Sequence, residues 1–101
     1  MADEPGKHIT EALGGRHVAP LSDEERVEQE RVRNLIQSVA SCYNSLVSQE
    51  SDPARKAELT EKRAFYQAEF RRHTTMSAQQ RRDVIQTYPA LLRQLRAELD
   101  A

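Results

Sequence analysis

The 101-residue sequence predicts an all-α fold. Its form is a three-helix antiparallel bundle, a long helical hairpin plus a kinked third helix, behind a flexible N-terminal tail. Three observations carry that expectation. Apolar side chains recur at spacings of three and four, and none alternate with the period of two that a strand requires. Two serine capping boxes and one Asp-Pro pair mark three helix starts. All the glycines, Gly6, Gly14 and Gly15, fall near the N-terminus.

Residues 1–21 hold those glycines, Pro5, Pro20, His8 and His17, with apolar residues only scattered among them. Such a segment cannot bury enough surface to offset the entropy of ordering it, so a mobile tail is expected. Ile9, Leu13 and Val18 offer a second reading, a tail that docks on the bundle or on a partner. The rest of the chain, 22–101, forms one helical domain with helices at about 22–48, 52–73 and 77–100.

The first helix opens on Ser22-Asp23-Glu24-Glu25. The serine hydroxyl can accept a free backbone N–H while Glu25 reaches back to the serine N–H, and the acidic first turn suits the helix dipole. Val32, Ile36, Val39, Tyr43 and Leu46 then make one seam, which Leu35, Cys42 and Val47 widen. Asp52 caps the second helix and Pro53 takes its first position, where a missing N–H costs nothing. The short link forces the two helices into antiparallel contact. Leu59, Tyr66 and Phe70 share one face of the second helix. Ala57, Ala64 and Ala68, with Phe65 beside them, lie nearly opposite, a pattern that predicts a helix sandwiched between neighbours. Thr74-Thr75-Met76 forms the next turn, and Ser77-Ala78-Gln79-Gln80 is the second capping box. Ile85, Tyr88, Leu92, Leu95 and Leu99 continue the seam, broadened by Val84 and Leu91. Pro89 interrupts it, predicting a kink near Thr87–Tyr88 or a break with a restart at the proline.

The core is thin for its length, and the second helix supplies few large apolar groups. Surplus apolar surface then asks for a companion. The expected function is a noncatalytic interaction module of coiled-coil character, pairing with itself as a homodimer or docking on another protein. Leu35, Val47, Leu91, Leu95 and Leu99 exceed the minimum seam and are the candidate contact residues. Tyr43, Tyr66 and Tyr88 each fall on an inner face, where their hydroxyls need partners.

Other chemistries have less behind them. Arg71, Arg72, Arg81 and Arg82 flank the second turn and could form a basic patch for DNA. The net charge of −1, a turn without glycine and a third helix given over to a leucine seam disfavour nucleic acid. Arg26, Arg31, Arg33, Arg55 and Arg63 could line a metabolite cleft in a small dimeric enzyme, yet periodicity puts most of them on polar faces. No phosphate loop, nucleophile elbow or acid–base pair signature is present, so an enzyme is not expected. No cofactor or metal is expected either. His8, His17 and His73 have no helical i, i+4 partner, and Cys42 reads as a small buried hydrophobe. His73 suits a helix C-terminus. Arginine far outnumbers lysine, which with abundant alanine suggests a GC-rich bacterial genome. The polar start and the lack of a long apolar run predict a cytoplasmic protein with no membrane role.

Overall fold

The computed structural model describes residues 21–101. Apart from Leu21, the expected tail lies outside the described residues, as do the docking alternative through Ile9, Leu13 and Val18 and the histidines His8 and His17. Three helices follow: α1 (Asp23–Gln49), α2 (Pro53–Arg71) and α3 (Ala78–Asp100), with a 3-10 turn at His73–Thr75 before α3. The described residues contain no strand, and the all-α three-helix bundle is the fold.

Each helix begins where local chemistry starts it. The Glu25 N–H donates to Ser22 Oγ at 3.1 Å and the Ser22 N–H donates to Glu25 Oε1 at 2.9 Å. The same reciprocal pair joins Ser77 and Gln80 at 3.1 and 2.8 Å. Asp52 accepts the Arg55 N–H at 2.9 Å, with Pro53 opening the helix behind it. Each cap satisfies backbone donors that the first turn leaves orphaned.

The helices run up, down and up. Arg63 of α2 reaches Asn44 of α1 at 3.0 Å, Arg81 of α3 reaches Glu28 of α1 at 2.7 Å, and Arg55 of α2 meets Glu98 of α3 at 3.5 Å. So α2 is antiparallel to both neighbours, and α1 and α3 are parallel. The core follows α1. Val32, Ile36, Met76 and Val84 close the end near the 3-10 turn. Val39, Cys42, Tyr43, Leu46, Val47, Leu59, Leu92 and Leu95 fill the remainder.

Three expectations need correction. The second helix ends at Arg71, two residues short of the expected end, because Arg72 leaves helical geometry at φ −108°, ψ 15°. His73 enters the 3-10 turn, where its ring nitrogen sits 2.7 Å from the Phe70 carbonyl; this is the helix-end role its position suggested. The third helix passes unbroken through Pro89, so of the two outcomes expected there the break does not occur. Pro89 is half-buried and lines a groove open to solvent. The third correction concerns α2, which is not sandwiched. It packs on α1 by one face, no Cα of α2 comes within 8 Å of one in α3, and Ala57 and Ala64 are exposed with Phe65 at 56%.

Candidate functional site

The two flanks of α1 differ in how they are closed. On the α2 side, polar and aromatic groups cross the seam. Arg63 binds Asn44, and the Arg33 guanidinium lies 5.8 Å from the Phe70 ring centroid, within cation–π range. Further in, Tyr43 and Tyr66 stack with centroids 5.4 Å apart, and Tyr66 meets Tyr88 edge-on at 5.6 Å. The three tyrosines thus meet, filling the space between the separated backbones of α2 and α3. The Tyr88 hydroxyl donates to Glu69 Oε1 at 3.3 Å, and Arg72 pairs with Glu69 Oε2. Burial, then the adjacent Glu69 charge, pushes the Tyr88 hydroxyl pKa well above its ordinary value. Burial likewise raises Tyr43 and Tyr66. Each carboxylate oxygen of Glu69 has a donor, which accounts for a buried acid at 8% exposure.

On the α3 side, one strong crossing lies at the lower end. Arg81, 8% exposed, donates from Nε to Glu28 at 2.7 Å and from Nη1 to the Met76 carbonyl at 3.0 Å. Above it the flank opens into a groove of about 580 Å³. Leu35, Leu92 and Pro89 form its apolar floor, and Val27 stands at its mouth with 70% of its surface exposed. Arg31, Arg93 and Arg96 rim it, with Glu30 the one acid in the lining. None of these arginines has an ion-pair partner among the described residues.

The expected contact residues divide. Val47 and Leu95 belong to the core at 7% and 3% exposure and offer no free surface. The surplus assigned to them is the packing that joins α1 to its neighbours. Leu35, Leu91 and Leu99 are half-buried against that core, and of the five only Leu35 lines the groove. Periodicity points to neither Val27 nor Arg93 and Arg96, and Arg31 is singled out only for the metabolite cleft. The available signal was an apolar residue off the seam with an arginine one turn later.

The expected basic patch is also dispersed. Arg81 is buried in its bond to Glu28, and Arg72 is held by Glu69. Arg82 is exposed and donates to Gln79 at 3.0 Å, and Arg71 is exposed beside Phe70 on the other flank. Nor do the arginines of the suggested metabolite cleft converge. Arg26 pairs with Asp23, Arg55 with Glu58 and Glu98, Arg63 with Asn44, and Arg33 lies over Phe70; only Arg31 faces the groove. Among the described residues no three His, Cys, Asp or Glu side chains gather as a metal site, and no helix is long and apolar enough to cross a membrane. Cys42 is buried, as its place on the seam implied. No protein-family model matches this chain, and no curated protein or solved structure matches it.

Proposed function

We propose that this chain is a noncatalytic helical interaction module that docks through the apolar groove between α1 and α3, on another protein or on a second copy. One observation carries the reading. The core, Leu92 included, is closed along α1, yet Val27, Leu35 and Pro89 leave apolar surface on one flank that no described segment covers. Burying such surface is worth about 25 cal/mol per Å², and apolar surface ringed by polar groups marks interaction sites. The DNA-binding alternative has lost much of its support, since Arg72 and Arg81 are held by internal carboxylates. Of the arginines suggested for a metabolite cleft only Arg31 lines the groove, so the enzyme alternative keeps no more than the rim that Arg31 forms with Arg93 and Arg96.

Photocrosslinking tests the reading. A photoreactive residue at position 27 should give a discrete crosslinked product in the native host or with purified chain at high concentration. The same residue at Gln67, on the other flank, should not. Equal products at both positions, or none at either together with a strict monomer in sedimentation, would remove the proposal.

A further inference from the structure

From the charge around this groove we infer that its occupant is an amphipathic helix of a partner protein, with acidic residues bordering its apolar stripe. The inference rests on the docking reading and narrows it to one chemistry. The groove spans Val27 to Ser38 along α1, about 16 Å at 1.5 Å per residue, or three helical turns. Its shape is the space beside two parallel helices that a further helix fills in bundle packing, with an apolar stripe on the floor and flanking residues at the rim.

The rim decides the sign of the partner. Arg31 stands on the α1 wall, and Arg93 and Arg96 on the α3 wall. Among the described residues Arg26, Arg55, Arg72 and Arg81 each have a carboxylate, while the rim three, like Arg33, Arg63, Arg71 and Arg82, have none; what sets the rim three apart is that they border one apolar groove. With Glu30 the only opposing charge, the lining is net positive. A symmetric dimer built groove against groove would press six arginines together against two glutamates, and like-charge juxtaposition across an interface is costly. A helix with glutamate or aspartate along both edges of its stripe would meet an arginine on each wall. Nucleic acid fits less well. The floor is aliphatic and has no ring on which a base could stack, and the aromatic side chains are placed on the other side of the fold.

The test uses the full chain and two synthetic helical peptides with the same leucine stripe, one edged with glutamate and one with lysine. The glutamate peptide should bind at least about tenfold more tightly, with the preference shrinking as salt is added. Its titration should shift the backbone amide signals of Val27, Arg31, Leu35, Leu92 and Arg96. In the variant Arg31→Glu/Arg93→Glu/Arg96→Glu the preference should invert toward the lysine peptide. Among the described residues these arginines make no ion pair, and circular dichroism would verify the variant's fold. The peptide comparison on the unaltered chain stands without the variant. Equal binding of both peptides overturns the inference, as do shifts centred on Phe65 and displacement of the peptide by a duplex oligonucleotide. If neither peptide binds and the chain self-associates with shifts in the groove, the acidic partner is excluded and the docking reading survives. If neither binds and the chain stays monomeric, both fall.

Discussion

On its α2 flank, α1 is joined to its neighbour by side chains that cross the seam: Arg63 to Asn44, Arg33 over Phe70, Tyr43 against Tyr66. On its α3 flank the crossing is confined to Arg81 and Glu28, and above it three arginines surround an uncovered apolar floor. Both flanks have similar raw material, arginines beside aliphatic groups. What differs is that Arg33 and Arg63 reach across the α2 seam, whereas Arg31, Arg93 and Arg96 border the groove without an ion pair among the described residues. Charge and hydrocarbon left unmatched on one side of a folded module locate the surface on which something else can act, which composition alone does not.

The largest effect that would sharpen this contrast comes from cutting the core and the groove separately. Ile36 is fully buried, so Ile36→Ala should cost about 2–5 kcal/mol in denaturant unfolding. Val27→Ala, at the exposed mouth, should stay within about 0.5 kcal/mol. A large loss at Val27 would mean that the groove belongs to the fold. Next comes the single crossing on the open flank. Arg81→Met strands Glu28 and the Met76 carbonyl and should cost roughly 2–3 kcal/mol, below the usual range for a broken buried pair because Glu28 keeps some solvent.

A smaller effect probes the closed side. Tyr88→Phe leaves one oxygen of Glu69 without its donor and should cost roughly 1 kcal/mol at neutral pH. Because the folded state raises the Tyr88 pKa, the stability it contributes is present below the unfolded value near 10 and is lost as pH rises above it. The gap between parent and variant should therefore narrow in alkaline unfolding curves, and a gap that widens would contradict the arrangement. The smallest effect lies at the α1 start that both flanks share. The Ser22 N–H, then the Ser22 hydroxyl, holds the Glu25 carboxyl below its ordinary value of 4.5. Its contribution is present above that value and lost as pH falls through the lowered one. The deficit of Glu25→Ala should accordingly fade in acid, and urea midpoints measured across that range would show it.

Most of the fold was legible because its signals are local. Ser22, Asp52, Pro53 and Ser77 fix three helix starts within a few residues of sequence, and the seam from Val32 to Leu46 names the buried face of α1. Tertiary arrangement decided the rest. The alanines of α2 looked like a close-packing face, but its backbone stands apart from α3, and tyrosines span the interval. Arg81 reads in the sequence as half of a surface pair with Arg82, and only the parallel return of α3 past Glu28 buries it. Pro89 reads as a kink or a break, and the helix continues through it. The groove itself combines residues more than fifty positions apart, Val27 and Arg31 with Arg93 and Arg96, so no local pattern could disclose it. Leu95 and Val47 look surplus for the reverse reason: a seam residue has no visible partner until the helix it meets is placed, and both lie in the core.

The central claim is that the rim arginines serve a partner and do not hold the fold, and chemical denaturation of Arg31→Gln/Arg93→Gln/Arg96→Gln tests it most directly. Stability within about 0.5 kcal/mol of the parent chain is expected, since all three arginines are exposed and no ion pair among the described residues is removed. A loss as large as that of Arg81→Met would contradict the account and return those arginines to the structure of the bundle.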